Sequence, residues 1–170
     1  SAEAATKKTF RVGIILRLND KFNDTVSAMT TGIETAKALY ERKHPGVKIE
    51  LKHYPHDNDL ESVMKAANQS IADKVPAVIG GELSEEAFVI GDRLGESKSV
   101  FITPTSSNPK VTEGKPYAFR ACFSDRLVAS QLAHYMVDNL KPKSIGLLHN
   151  VSSPYTDFLS KQFMETHAEI

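Results

Sequence analysis

Short apolar runs alternate along the chain with longer segments of helical periodicity. Residues 10–16 form an apolar run that is typical of a strand buried on both faces of a sheet. After Asn23, apolar side chains recur every three or four positions, which predicts an amphipathic helix that ends at Pro45 and Gly46. Apolar and charged residues then alternate over residues 47–51, which predicts a second, less buried strand.

The same alternation of elements continues to the end of the sequence. It predicts strands at 77–79, 100–102, 117–120 and 144–149, and helices that begin at Asp59, at Ser84, at Ser124 or Asp125, and at Tyr155. Strands that alternate with helices indicate a parallel sheet with right-handed crossovers. The predicted fold class is therefore α/β, a doubly wound parallel sheet sandwich.

The topology predicts where a ligand would bind. In a doubly wound sheet, ligands bind beyond the carboxyl ends of the strands, where the strand order reverses. With the strand order 2-1-3-4, that point lies between strands 1 and 3. The loops at 17–22 and 81–84 lie there, with residues 103–107 beside them.

Two of these loops carry side chains suited to a zwitterion. The helix that begins at Ser84 offers backbone N–H groups to a carboxylate. The hydroxyls of Ser106 and Ser107, with nearby carbonyls, offer acceptors to an ammonium group. The alternative is that Ser84 only caps its helix and that residues 103–109 form an ordinary turn bounded by prolines.

Composition narrows the function classes. The chain has 170 residues, enough for about one domain, with 21 basic and 21 acidic residues. No basic excess exists to neutralise nucleic-acid phosphates, so nucleic acid is not an expected partner. No apolar run is long enough to span a bilayer. Cys122 is the single cysteine, which excludes a disulfide framework and a thiolate metal cluster within this sequence.

Motifs for catalysis, cofactors or metals are weak. No G-x-S-x-G, P-loop or G-x-G-x-x-G motif occurs, so an enzyme and a bound cofactor are not expected. His53, His56, Asp57 and Asp59 form a polar cluster without the i, i+4 histidine spacing of helical zinc sites. A solvated turn followed by a helix cap at Asp59 is favoured over a metal site.

Residues 77–125 resemble the type I periplasmic solute-binding proteins, and especially the branched-chain amino-acid (Leu/Ile/Val) receptors of ABC importers. The resemblance is carried by V-I-G at 78–80, Ser84 at the next helix, the TPTSSNPKVT run at 103–112, and YAFRACFSD at 117–125. It continues weakly over residues 10–166. It implies a fold of two lobes that close on a ligand.

The resemblance also implies roles for individual residues. Ser84 would hold the ligand carboxylate. The carbonyl of Ser106 and the hydroxyl of Ser107 would accept from its ammonium group. Tyr155 would cover the ligand from the second lobe, although Pro154 is an additional residue at that point.

The loop after the first strand departs from the family pattern. Arg17 and Phe22 stand in a stretch that would line the ligand's side-chain pocket, where the family usually has a small loop containing Gly and Pro. An arginine there suggests a ligand other than a plain aliphatic amino acid. The alternative is that Arg17 points to solvent or pairs with Asp20.

The predicted domains are a disordered N-terminus at 1–9, a ligand-binding lobe at 10–121, and the beginning of an incomplete second lobe at 122–170. Residues 1–9 are typical of the sequence left after signal-peptide removal, and equally of a frayed terminus or a cloning remnant. Apolar faces on the final elements predict self-association.

The function implied is that of a non-enzymatic receptor in the periplasm or outside the cell. It would bind an amino acid or a similar small carboxylate and deliver it to the membrane subunits of an ABC importer. The alternative is a ligand-sensing extracellular domain of a signalling receptor, which a membrane segment elsewhere in the protein would distinguish.

Overall fold

The computed structural model describes residues 7–17, 24–57 and 59–170. Within these ranges the strands form one parallel sheet in the order β2-β1-β3-β4-β5. They are β1 (Lys8–Ile15), β2 (Val47–His53), β3 (Ala77–Gly80), β4 (Val100–Thr103) and β5 (Ala118–Arg120). The sheet confirms the predicted α/β fold and the order 2-1-3-4, and β5 extends it at one edge.

The helices follow the predicted periodicity closely. They are α1 (Asp24–Lys43), α2 (Leu60–Ala72), α3 (Ser84–Glu96), α4 (Asp125–Tyr135) and α5 (Pro154–Glu169), with a 3-10 turn at Pro109–Val111 and a π-helical turn at Met136–Leu140. Asp59 caps α2 as predicted, since its carboxylate accepts from the N–H of Ser62 at 2.8 Å. None of the helices in the described ranges is long and apolar enough to cross a membrane.

The sheet is buried on both faces around β1. Ile15 packs with Val78, Phe101 and the apolar faces of α2 and α3 in the larger core cluster. The neighbouring Ile14 points to the opposite face, where it packs with Val26 of α1. β1 begins at Lys8, two positions before the predicted start, because Lys8 and Thr9 pair with the first residues of β2. The prediction of a disordered N-terminus at 1–9 is therefore wrong for these two residues, while residues 1–6 lie outside the described ranges.

The carboxyl ends of β1 and β3 approach each other closely. A Cβ atom at Gly80 would lie 2.0 Å from the carbonyl oxygen of Ile15, so only glycine fits there. Gly81, with φ at +69°, donates its N–H to the same carbonyl at 3.2 Å. This contact fixes the start of the loop that leads from β3 into α3.

The last part of the chain differs from the prediction. The strand predicted at 144–149 is wrong, because no described strand pairs with these residues and they form no ladder. A strand needs a hydrogen-bonded neighbour, and the nearby packing is between helices instead. Ala129 and Ala133 of α4 pack against Phe163 of α5.

Candidate ligand-binding site

The loops after β3 and β4 are hydrogen-bonded to each other at the carboxyl ends of the strands, where the topology predicts a site. The carbonyl of Gly81 accepts from the hydroxyls of Thr103 and Ser106, both at 2.8 Å. Thr105 donates its hydroxyl to the carbonyl of Glu82 at 3.0 Å. Because Thr103 and Ser106 are buried, these bonds satisfy groups that would otherwise be costly to desolvate. The structure thus brings two of the predicted loops, at 81–84 and 103–107, into contact.

Ser84 lies at the start of α3 and is buried. It is the first helical residue rather than the N-cap, which is Leu83, so the predicted capping role is wrong. The carboxylate of Glu86 reaches back to accept the N–H groups of Glu82 at 3.0 Å and Leu83 at 3.2 Å. No hydrogen bond to the Ser84 hydroxyl is found in the described part of the chain, which leaves this group for a ligand.

Ser106 and Ser107 have different surroundings. The Ser106 hydroxyl is used by Gly81, so this side chain positions the loop. The Ser107 carbonyl accepts from the N–H of Asp125 at 2.9 Å, which joins the loop to the start of α4. Of the two predicted caps of α4, Ser124 and Asp125, the cap is Ser124, whose hydroxyl accepts from the N–H of Arg126 at 3.3 Å.

Asp125 is a candidate site residue that the sequence analysis treated only as a possible helix cap. Its side chain is buried, and within the described ranges its Oδ2 atom has no hydrogen-bond partner. Burial raises the pKa of this carboxyl group, while a hydrogen bond from Ser107 and the charge of Arg120 act in the opposite direction. The sequence did contain a signal for this residue, since Asp125 ends the YAFRACFSD run that carried the resemblance.

Asn108 connects this loop to the helix that bears Tyr155. Its side-chain amide donates to the carbonyl of Pro154 at 2.9 Å, and its Oδ1 accepts the N–H of Lys110 at 3.0 Å. Its own carbonyl accepts from Arg120 at 3.0 Å. Tyr155 follows Pro154 in the first turn of α5 and is partly exposed, so its backbone lies beside the loop after β4.

Arg17 is held by two acidic residues from distant parts of the chain. Its guanidinium donates to the carboxylate of Glu86 at 3.1 Å, and its Nε lies 3.6 Å from the carboxylate of Glu82. The alternative in which Arg17 points to solvent is wrong, because the sheet brings these carboxylates to it. Asp20 and Phe22 lie outside the described residues.

His56 belongs to the same edge of the sheet. It forms an isolated parallel bridge with Arg17. The expectation of a solvated turn is wrong for His56, which is buried, and for His53, which is exposed but ends β2, whereas Asp57 is exposed outside any strand or helix. Its Nδ1 lies 2.6 Å from the carbonyl of Asp57. The sequence could not indicate this burial, since it depends on the pairing beyond the end of β1.

Comparisons with known proteins agree with this architecture. The family model described as "Periplasmic binding protein" matches residues 9–166. A Leu/Ile/Val-binding protein homolog 3 from Brucella melitensis is 28% identical over 142 residues, which cover 82% of this chain and 39% of the relative. The chain therefore spans less than half the length of this relative.

Two solved structures share the fold. A leucine binding protein, LivK, from Thermotoga maritima is 26% identical with a TM-score of 0.79, over 94% of this chain and 46% of that protein. The branched-chain amino acid transporter substrate binding protein LivJ from Streptococcus pneumoniae, solved with isoleucine, has a TM-score of 0.83 at 20% identity, over 94% of this chain and 47% of that protein.

These findings confirm the resemblance seen in the sequence, and with it the expectation of a binding protein rather than an enzyme. The chain belongs to the periplasmic binding protein family, and within it to the type I proteins related to Leu/Ile/Val-binding proteins.

Proposed function

We propose that the protein containing this chain is an exported receptor that binds an amino acid or a similar small carboxylate between two lobes. It would deliver this ligand to the membrane subunits of an ABC importer, in the periplasm or at the cell exterior. Family membership and the polar half-site at the carboxyl edge of the sheet support this proposal. The observation that carries it is the buried Ser84 side chain, which shares the β3–α3 segment with Gly81. The loop after β4 is hydrogen-bonded to Gly81 through the Ser106 hydroxyl.

The carboxylate of the ligand would bind at the start of α3. The Ser84 hydroxyl and the first N–H groups of the helix are donors, and the helix dipole favours a negative charge there. Glu86 already accepts from the N–H groups of Glu82 and Leu83 and adds a negative charge. A single carboxylate therefore suits this position better than a phosphate.

The ammonium group of the ligand would bind on the other side of the half-site. Ser107 and the Oδ2 atom of Asp125 offer acceptors, together with the Ser106 carbonyl. An ammonium group would give the buried Oδ2 atom the donor that it lacks and would favour the ionised carboxylate. Donors at α3 and acceptors at α4 match the two ends of an amino acid.

Closure would complete the site. We assign the predicted lobe of residues 10–121, together with Lys8 and Thr9 of β1, to the first lobe. Residues 122–170 would begin the second lobe, which would contribute Tyr155. A ligand that contacts both lobes only when they are closed shifts the population toward the closed form. Because the charge of Arg17 is paired with Glu82 and Glu86, it need not exclude an aliphatic ligand side chain.

A thermal-shift panel tests this function. The panel contains amino acids, amides and small carboxylates, and the protein is the product of the complete reading frame that contains this chain. A ligand at about 100 times its dissociation constant stabilises by roughly 2.7 kcal/mol. We expect a hit that Ser84→Ala and Ser107→Ala abolish.

The matched control is Ser97→Ala at the opposite end of α3, where the hydroxyl bonds to the carbonyl of Leu94. It should keep the ligand-induced shift. Unliganded unfolding midpoints close to the parent value show that the site variants remain folded. A panel without a single shift, or a shift that survives both site variants, would overturn the proposal.

A further inference from the structure

We propose that His56, Glu82 and Glu86 form a binding site for a divalent transition-metal ion of the Zn²⁺ type at the edge of the ligand-binding half-site. One ring nitrogen of His56 and one carboxylate oxygen from each glutamate lie within 4.8 Å of one another. The sequence analysis expected no metal, because His53 and His56 lack the spacing of helical zinc sites. It did not consider the two glutamates, which come from the β3–α3 loop and the first turn of α3 and lie far from His56 in sequence.

All three side chains are removed from solvent. His56 is 2% exposed, and the side chains of Glu82 and Glu86 are 6% and 5% exposed. Acidic side chains on a surface often cluster without binding anything, but buried ones need a compensating partner. Arg17 lies within ion-pair distance of both carboxylates, and a metal ion bound here would take its place.

The histidine gives an independent indication of a ligand. A backbone carbonyl can only accept, so the short contact from Nδ1 to the carbonyl of Asp57 places the ring proton on Nδ1. In the neutral ring, Nε2 then carries the lone pair, and this buried atom has no hydrogen-bond partner among the residues that the structure describes. A carbonyl that orients the second ring nitrogen is the usual arrangement around metal-binding histidines.

The donor set selects the class of metal. Imidazole nitrogen with carboxylate oxygen suits Zn²⁺, Ni²⁺ and Cu²⁺, whereas Ca²⁺ and Mg²⁺ prefer oxygen ligands alone. Ligand atoms around a tetrahedral Zn²⁺ lie about 3.4 Å apart, given metal–ligand distances of about 2.1 Å. Atoms within 4.8 Å of one another therefore need to close by no more than about 1.4 Å, which side-chain rotation can supply.

Arg17 would be displaced by the ion. Its guanidinium occupies the Oε1 side of Glu86, while the Oε2 atom holds the backbone of Glu82 and Leu83. The Arg17 side chain is 21% exposed, so it can turn outward without unpacking the core. Metal and guanidinium then compete for the same carboxylates, and removal of Arg17 should strengthen metal binding.

Isothermal titration of the metal-free protein with ZnCl₂ tests this site, again with the product of the complete reading frame. We expect saturable binding that His56→Gln and Glu82→Gln each weaken at least tenfold. His53→Gln is the matched control, since His53 is exposed and only three positions away. It should bind Zn²⁺ as the parent protein does.

Arg17→Met separates a metal site from a purely structural ion-pair cluster. We expect this variant to bind Zn²⁺ several-fold more tightly than the parent, and circular dichroism checks that each variant is folded. Absence of saturable binding up to about 1 mM, full binding by folded His56→Gln, or weaker binding by folded Arg17→Met would each overturn the proposal. The ligand panel run with a chelator keeps this result separate from amino-acid binding.

Discussion

The parts of the chain before and after residue 121 carry the same alternation of apolar runs and helical periodicity, yet they fold differently. In the first part, the apolar run at β4 pairs with β3 on one side and with β5 on the other, and Phe101 is fully buried with 0% exposure. In the second part, the run at 144–149 has no paired strand among the described residues, and Leu148 is 100% exposed. The two helices predicted there, α4 and α5, do form, and they pack on each other.

The difference shows what an apolar run specifies. A run of β-branched and large apolar residues marks a segment that can enter a sheet, but the ladder forms only where a neighbouring strand is present. A helix satisfies its own backbone and needs only a packing partner. This is why both late helices match their predictions and the late strand does not.

The largest expected effect compares two apolar side chains from these runs. Phe101→Ala removes a fully buried ring and should destabilise by about 3–5 kcal/mol, because a cavity is left in the main core. Leu148→Ala should change stability by no more than about 0.5 kcal/mol. Urea unfolding of this chain measures both. A loss of more than about 1 kcal/mol for Leu148→Ala would show that the second region packs its apolar run after all.

The next effect concerns the close contact between the carboxyl ends of β1 and β3 in the first region. Gly80→Ala places a Cβ atom against the carbonyl of Ile15, so it should destabilise by about 1–3 kcal/mol through backbone displacement. Gly32→Ala in α1 is the matched control. Its Cβ atom would meet no atom of the described residues within 4 Å, and alanine should stabilise the helix by about 0.5–1 kcal/mol. Thermal unfolding measures the change in stability of each variant. A lower stability for Gly80→Ala with a higher stability for Gly32→Ala supports the close approach of Gly80 to the Ile15 carbonyl, and changes of the same sign contradict it.

The smallest expected effect lies where the two regions meet, at Asp125. Its pKa is raised on folding, so the folded protein binds the proton more tightly than the unfolded chain. Stability therefore falls as the pH rises from the unfolded to the folded pKa, and the loss is complete above the folded value. Asp125→Asn removes this loss, so the unliganded variant should be more stable at neutral pH, with a difference that shrinks as the pH falls through the folded pKa.

The same substitution should weaken amino-acid binding, because it removes a proposed partner of the ammonium group. Thermal unfolding with and without ligand, between pH 4 and 8, measures both effects. Asp138→Asn is the control, with a side chain that is 65% exposed in the π-helical turn. A variant of Asp125 that keeps full ligand affinity would exclude this residue from the site.

Much of the fold and part of the site could be predicted because they depend on local patterns. The parallel sheet followed from the alternation of elements, and 2-1-3-4 is a common strand order in doubly wound sheets. The meeting of the loops near Ser84 and Ser106 followed from that order. The pairing of Arg17 with Glu82 and Glu86 could not be predicted, since these residues are brought together only by the register of β1 against β3. The burial of Asp125 likewise depends on how α4 meets the loop after β4.

The double hydrogen bond to the Gly81 carbonyl has a kinetic consequence. Because Thr103 and Ser106 already hold the recognition loop in one conformation, an arriving ligand pays little entropy to order it. Capture by the first lobe should therefore proceed at a rate set by encounter rather than by loop rearrangement. The residence time would then depend on how long the second lobe stays closed, so that arrival and departure of the ligand are controlled by different parts of the protein.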